Sequence, residues 1–181
     1  TSCGGPEPEE STFKYTDNTV RVRLAAEPDR LSPFLTTSGY ARPIYEQIFL
    51  PLLEYNKGTF AFTPALAKAR PIIQEITEGP NAGGIKYTYE LFDGATFQDG
   101  QPVTVEDVIF TFKIFFNYNI AEAAPFRPGY SALADVVADP DNPLRFSIIS
   151  NEKYILAEDT YSNTGIYPKH IFDSAGLMDA Y

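Results

Sequence analysis

The chain of 181 residues is long enough for one domain or a piece of a larger one. Its residues are 44% hydrophobic and 21% charged, an ordinary globular composition that excludes a mostly disordered protein. Asp and Glu outnumber Lys and Arg by 24 to 14, and the net charge of −10 argues against a general nucleic-acid-binding protein. The single cysteine excludes an internal disulfide and a cysteine-rich zinc site, the single histidine excludes a two-histidine metal motif, and no apolar run approaches the roughly 20 residues that span a bilayer.

The start of the chain predicts a flexible segment over residues 1–16, because it lacks hydrophobic periodicity and is rich in Gly, Pro and acidic residues. Small residues precede Cys3, and a Gly/Pro/acidic stretch follows it, a pattern that resembles the end of a bacterial lipoprotein signal. Cys3 would then be a lipid attachment point, and residues 1–16 would tether the protein to a membrane. The alternative is a free cysteine in a disordered tail.

The next segment predicts a strand, a polar loop and a helix. Apolar residues alternate with basic ones over residues 19–24, which favours a half-buried strand. A helix is expected over residues 40–49, and a short strand over residues 50–55. The loop before the helix carries hydroxyls and backbone amides close to a helix N-terminus, which suits a ligand contact. Its residues are Thr36, Thr37, Ser38, Gly39 and Tyr40.

The middle of the chain predicts a short helix and then two strands. Thr63 followed by Pro64 is typical of an N-cap and a first helical residue, so a helix is expected over residues 65–69. Strands are expected over residues 72–76 and 85–92, the second because apolar residues alternate along it.

The clearest helix is expected over residues 104–117. Thr104 suits the N-cap, and Asp107 three residues later resembles the acid of a capping box. A single apolar stripe would face the core, formed by Val105, Val108, Ile109, Phe112 and Phe116. Residues 119–131 look irregular. Beyond them, a β-hairpin is expected from residues 136–137 and 144–149, and a helix over residues 154–159.

No catalytic site is expected from these residues. His170 lies beside Lys169 at the start of a surface helix, and a nucleophile would need an imidazole close to it. Glu106 and Asp107 are explained by the positive end of the helix that they begin. The sequence contains neither a phosphate-binding loop nor a complete calcium loop.

Six segments, in order along the chain, resemble family 5 of the extracellular solute-binding proteins, the dipeptide- and oligopeptide-binding proteins of ABC importers. The longest, FQDGQPVTVEDVIFTF at residues 97–112, is similar to the family's F-x-D-G-x-P-V-T-x-x-D-V-x-F-S-F. The other five are LSP (31–33), YE to LEY (45–55), PALA (64–67), YTYEL (87–91) and YPKH (167–170). The sequence departs from the family at residues 68–70, where a tryptophan is usual, and at residues 92–93, where a basic residue is usual.

The resemblance implies a mixed α/β fold of the type II periplasmic-binding-protein kind. Residues 17–181 would be the N-terminal portion of the solute-binding domain, part of lobe one of a two-lobe clamp whose second lobe and hinge are missing. It also implies capture of a peptide or related small solute, without a cofactor, by a monomer that delivers its ligand to permease subunits outside the cytoplasm. Residues 36–40 would then face the ligand cleft, with Tyr154, Thr160 and Tyr161 as further candidates.

Two other classes of function remain open. A lipid-anchored glycan-binding or interaction protein could use the 12 tyrosines on exposed sugar faces and would need no permease. A hydrolase would turn over peptides or esters, and loss of that activity in His170→Ala would contradict the expectation of a binding protein.

Overall fold

The computed structural model describes residues 22–31, 33, 36 and 38–180. Cys3 and the predicted tether over residues 1–16 lie outside the described residues, as do Thr37 and residues 19–21. Residues 22–24 have no regular secondary structure, so the strand predicted over residues 19–24 is absent from its described half. Alternation alone did not produce a strand there, because no described strand pairs with these residues.

The first elements are a single helical turn and a two-stranded ribbon. Helix α1 spans only Arg42–Tyr45, shorter than the helix expected over residues 40–49. Strand β1 (Leu53–Tyr55) pairs antiparallel with β2 (Phe62–Pro64). The helix predicted over residues 65–69 is therefore wrong, because Thr63 and Pro64 lie in β2 and residues 65–69 form no helical turn. A five-residue helix has a costly nucleus, and pairing with β1 outweighs its weak capping signal.

A four-stranded antiparallel sheet forms the centre of the described structure. Its strands are β3 (Ile72–Glu75), β4 (Ile85–Glu90), β5 (Leu133–Ala138) and β6 (Arg145–Ser150), in the order β3-β4-β6-β5. The strands predicted over residues 72–76 and 85–92 and the β5–β6 hairpin are confirmed. Tyr87 of β4 lies opposite Ile148 of β6, which lies opposite Val136 of β5, so these three side chains share one face of the sheet.

Helix α2 (Val105–Phe116) covers that face and begins as predicted. Thr104 and Asp107 form a complete capping box. The helix is buried on two sides, because Val108 and Phe112 join the main core while Phe110 and Ile114 pack in a second cluster with Met178. The predicted stripe is therefore wrong at its end, where Phe116 is 37% exposed. Among the described residues no helix is long and apolar enough to cross a bilayer.

Two short helices complete the layer beside α2. Helix α3 spans Ala157–Ser162, three residues later than predicted, and α4 spans Lys169–Phe172. Asp107 joins α4 to α2, because its Oδ1 accepts the Lys169 backbone N–H at 2.8 Å while its Oδ2 accepts the Thr104 backbone N–H at 2.9 Å. One carboxylate therefore caps the N-termini of both helices.

Two buried tyrosines in the core differ in how their hydroxyls are satisfied. The Tyr89 hydroxyl lies 2.9 Å from the Ser162 hydroxyl, and burial raises the pKa of Tyr89. The Tyr161 hydroxyl has no hydrogen-bond partner within the described part of the chain, and burial raises the pKa of Tyr161 to about 12. The nearby Ser150 hydroxyl lowers the pKa of Tyr161 and so partly offsets the effect of burial. The proton of that Ser150 hydroxyl is donated to the Glu152 carbonyl at 2.7 Å.

The opposite face of the sheet carries a row of charges. Glu90 accepts from Lys68 at 2.6 Å and from Arg145 at 3.0 Å, and Arg145 also lies 3.9 Å from Asp139. The hydrogen bonds from Lys68 and then Arg145 lower the pKa of Glu90.

Candidate ligand-binding cleft

A cleft of about 650 Å³ opens between α1 and β1 on one side and the C-terminal end of α2 on the other. We call it the α1–α2 cleft. Its floor is formed by residues 163–165 and Tyr167, and a 3-10 turn at Arg127–Tyr130 continues the α2 wall. The lining combines aromatic rings with polar side chains, as small-molecule sites commonly do. The aromatic lining residues are Tyr45, Phe49, Tyr55, Phe115, Phe126, Tyr130 and Tyr167.

The floor of the cleft is fixed by backbone pairing between distant segments. Pro51 forms an isolated antiparallel bridge with Gly165, and the Ile166 N–H donates to the Leu50 carbonyl at 3.0 Å. The Phe49 ring packs edge-on against Tyr167, with centroids 4.9 Å apart. The approach is close, since a Cβ at Gly165 would lie 3.4 Å from the Phe49 carbonyl oxygen.

The α2 wall is held by an aromatic stack and a chain of hydroxyls. The rings of Phe115 and Tyr130 stack with centroids 3.8 Å apart. The Thr164 hydroxyl donates to the Thr160 carbonyl at 2.6 Å, so Tyr130 donates its hydroxyl proton to Thr164 over 2.8 Å. Burial raises the pKa of Tyr130 to about 12, and the hydroxyl therefore stays protonated as a donor.

Four charged side chains line the cleft, and two of them form an ion pair. Arg42 Nε lies 2.5 Å from Glu46 Oε1, and this hydrogen bond raises the pKa of Arg42. Tyr55 donates to the Asp159 carboxylate, which raises the pKa of the Tyr55 hydroxyl. Glu54 and Lys57 also line the cleft, one of each sign, and neither makes an ion pair within the residues that the structure describes. The walls thus favour a largely uncharged ligand surface with aromatic and hydrogen-bonding contacts.

The loop predicted to bind ligand lies immediately before α1. Thr36 is 2% exposed, and its hydroxyl donates to the Asp29 carboxylate, which lowers the pKa of Asp29. The Ser38 N–H donates to Thr36 Oγ1 at 2.9 Å, and the Tyr40 N–H to Ser38 Oγ at 3.3 Å. These hydroxyls therefore shape the loop, whereas Gly39 and Tyr40 present exposed surface.

The other predicted ligand residues do not join the loop. Tyr154 is 37% exposed and precedes α3, away from the described lining of the α1–α2 cleft. Tyr161 is 0% exposed, and its ring packs against Tyr87 and Phe112. It has no surface from which to contact a ligand in this structure, because α3 turns that side chain onto the sheet.

Sequence reasoning missed most of the cleft. Phe126 and Tyr130 lie in the stretch that looked irregular, where no periodicity marks a wall. Asn163 and Thr164 follow a six-residue helix and carry no motif. The one sequence feature that hints at the cleft is the number of aromatic residues between positions 110 and 130, which is larger than one buried helix face requires.

His170 lies outside the cleft and contacts a carboxylate. Its Nε2 is 2.6 Å from Asp99 Oδ2, and its ring centroid is 5.8 Å from that of Phe97. The hydrogen bond from His170 lowers the pKa of Asp99. The contact joins α4 to the turn before α2, so two of the sequence segments that carry the resemblance dock on each other. Among the described residues, no three His, Cys, Asp or Glu side chains are grouped to hold a metal ion.

Comparisons with known proteins agree on one family. The model of the family described as bacterial extracellular solute-binding proteins, family 5 Middle, matches residues 61–174. Protein XP55 of Streptomyces lividans is 34% identical over 145 residues, which are 80% of this chain and 23% of that protein.

Solved structures show the same fold. A periplasmic oligopeptide-binding protein of an ABC transporter from Thermotoga maritima, solved with mannohexaose, is 25% identical with a TM-score of 0.54, over 70% of this chain and 21% of that one. The oligopeptide-binding protein of Thermus thermophilus, solved with a pentapeptide, is 22% identical with a TM-score of 0.59, over 78% of this chain and 23% of that one. The chain therefore spans between a fifth and a quarter of the length of these relatives.

The fold and the family agree with the expectation of a mixed α/β part of a solute-binding protein. The family match covers more than half of the chain, and it includes β3 to β6 together with α2, α3 and α4. The structure adds a cleft with aromatic and polar walls. This chain belongs to the bacterial extracellular solute-binding proteins of family 5.

Proposed function

We propose that the chain is part of the substrate-binding component of an ABC importer, which captures peptides or a related small solute and delivers them to a membrane permease. The observation that carries the proposal is the α1–α2 cleft, about 650 Å³ in volume and lined by aromatic and polar groups. Its size falls within the range of small-molecule sites, roughly 300–1,000 Å³. Ligand held between this cleft and the remainder of the protein would stabilise a closed form.

The chemistry of the cleft suits a peptide backbone. Asn163 and Gln47 offer amide donors and acceptors, while Phe126 and Tyr45 offer apolar ring surface. The Arg42–Glu46 pair is internally neutral, so it imposes no charge on the ligand. Such a site would tolerate many side chains, as backbone recognition does.

A second contact region is proposed at the loop before α1. Gly39 and Tyr40 are exposed there, and Thr36 and Ser38 fix the backbone from beneath. Thr37 belongs to the same proposal and lies outside the described residues. Tyr154 remains a candidate from its partial exposure alone.

The protein would act outside the cytoplasm as a monomer anchored by a lipid on Cys3. Support comes from the extracellular description of the family and from the residues around Cys3. Metabolic labelling with a fatty acid, followed by membrane fractionation, tests the anchor. Label retained in Cys3→Ser would contradict it.

Binding is tested on the full-length protein by calorimetry and thermal shift against a pentapeptide, mannohexaose and a nickel complex. We expect the pentapeptide to raise Tm and Phe126→Ala to weaken its binding about tenfold, since burial of one ring contributes on the order of 1.5–3 kcal/mol. Phe92→Ala is the matched control, because Phe92 is 43% exposed, Phe126 is 37% exposed, and Phe92 lies outside the cleft lining. Equal losses in both variants, or no pentapeptide binding, would contradict the proposal.

The second candidate function is glycan binding. Aromatic rings on the cleft walls can stack on sugar faces, and the Thermotoga maritima relative was solved with mannohexaose. Binding of mannohexaose without binding of the pentapeptide would favour this candidate.

A further inference from the structure

The segment between α2 and the Arg127–Tyr130 turn forms a cleft wall with few fully buried side chains. It contains a 3-10 turn at Ala121–Ala123 and then the turn at Arg127–Tyr130. Its buried side chains are those of Asn117 and Ala123, which are small or polar. Ile120 packs against the Met178 cluster and Tyr130 against the main core, but most side chains of this wall segment, residues 117–130, are exposed, so burial alone holds only part of it.

One side chain bridges the wall segment back to the end of α2. Arg127 donates from Nε to the Phe115 carbonyl at 3.0 Å, and from Nη2 to the carbonyls of Asn117 at 2.8 Å and Ile120 at 2.7 Å. The carbonyls of a last helical turn lack intrahelical partners. A single planar guanidinium thus bridges backbone acceptors at three places along residues 115–120, of which the Asn117 and Ile120 carbonyls also accept a backbone N–H.

The charge of Arg127 is balanced by backbone dipoles and an aromatic ring. Its Cζ lies 4.6 Å from the centroid of the Tyr118 ring. It makes no ion pair within the described residues. A cation at a helix C-terminus is favoured by the helix dipole, so the electrostatics and the hydrogen bonds act in the same direction.

The neighbours of Arg127 in sequence are the rings that face the cleft. Phe126 precedes it, and Tyr130 ends the same 3-10 turn. Tyr130 stacks on Phe115, whose carbonyl accepts from Arg127. The guanidinium therefore fixes the turn that carries both rings, relative to the helix on which one of them stacks.

We propose that Arg127 is a positioning residue of the α1–α2 cleft: by bonding the carbonyls of residues 115–120, it holds the wall segment and its rings in the ligand-ready position. Lysine cannot replace it, because a point-charge ammonium lacks the fork that reaches these separated carbonyls. The consequence for ligand affinity rests on the proposed function, whereas the consequence for the wall segment does not.

Hydrogen exchange on the full-length protein tests the positioning role without a ligand. In Arg127→Gln, amide exchange across residues 117–130 should accelerate roughly tenfold or more, since a hydrogen bond to a charged group is worth about 1.5–3 kcal/mol and its loss raises local opening. Strands β4 and β6 should keep their protection, and Arg127→Lys should accelerate the same segment. Arg145→Gln is the matched control, because it removes a guanidinium on the opposite face of the sheet.

Two results would overturn the proposal. One is unchanged exchange over residues 117–130 in Arg127→Gln. The other is acceleration of equal size in β4 and β6, which would show a general loss of stability. Affinity for the pentapeptide is measured in parallel, and we expect roughly a fivefold or greater loss in Arg127→Gln with none in Arg145→Gln. If the wild-type protein binds no pentapeptide, the proposed function fails while the exchange result still decides the role of Arg127.

Discussion

Removing the Asp107 carboxylate should destabilise the protein more than any exposed acidic substitution. Asp107 is 4% exposed and accepts from the Thr104 N–H at 2.9 Å, the Thr104 hydroxyl at 2.7 Å and the Lys169 N–H at 2.8 Å. In Asp107→Ala, α4 loses the acceptor at its N-terminus, and α2 keeps only the Thr104 half of its capping box. The perturbation therefore acts on the junction between α2 and α4.

The magnitude follows from these contacts. A hydrogen bond to a charged group contributes about 1.5–3 kcal/mol, and the three bonds of Asp107 share one carboxylate, so their effects do not add fully. We expect Asp107→Ala to lower the free energy of unfolding by about 3–5 kcal/mol. Asp107→Asn should lower the free energy of unfolding by about half as much. Its amide oxygen still accepts at one position, whereas its NH₂ group faces other donors and forms no hydrogen bond with them. Either loss is large against the roughly 5–15 kcal/mol that stabilises a domain.

Urea denaturation followed by circular dichroism measures the effect. Asp141→Ala is the matched control, because Asp141 lies in the exposed β5–β6 loop. Its unfolding free energy should stay within about 0.5 kcal/mol of the wild-type value. A change of less than about 1 kcal/mol in Asp107→Ala would refute the double-cap reasoning, since it would show that water or other groups satisfy the freed N–H donors.

Three further predictions concern the core, a close backbone approach and acid stability. Tyr89→Phe should lower the free energy of unfolding by about 1–2 kcal/mol, because it breaks a buried hydroxyl pair. Tyr161→Phe should leave that free energy unchanged or raise it, because the Tyr161 hydroxyl has no partner within the described part of the chain. Equal denaturation midpoints for the two variants would contradict this. Gly84→Ala should lower Tm well below Gly39→Ala, because a Cβ at Gly84 would lie 2.0 Å from a β6 carbonyl oxygen while one at Gly39 meets no described atom within 4 Å. Because folding lowers the pKa of Glu90, its carboxylate stabilises the fold at pH values above the pKa of the unfolded chain, and this contribution is lost as pH falls through the pKa of the folded state. The difference in unfolding free energy between wild type and Glu90→Gln should therefore be present at neutral pH and disappear in acid. A difference that persists at low pH would contradict the assignment.

The sequence predicted the elements whose signals are local and strong. The capping box at Thr104 and Asp107 requires only residues three apart, and it forms as predicted. The alternation along β4 and the turn residues before β6 likewise predicted their strands. The family segments indicated the fold class for the same reason, since each segment carries a turn, a cap or a strand within a few residues.

The weaker local signals failed where a distant partner decided the outcome. Thr63 lies in a strand because β1 pairs with it, and Tyr161 lies in the core because α3 rests on the sheet. Phe116 leaves the predicted apolar stripe, whereas Ile114 is buried against Met178, a residue 64 positions later. Periodicity within one helix cannot report such a partner.

Composition, charge and motif order determined by themselves that this is a globular, acidic chain of mixed α/β fold with the segments of a solute-binding protein. Tertiary structure decided the cleft and its supports. The Phe115–Tyr130 stack, the bridge between Pro51 and Gly165, and the bonds of Arg127 join segments that sequence spacing does not relate. A cleft is made by surfaces brought together on folding, so its walls become visible only when the packing of α2 and its neighbours is known.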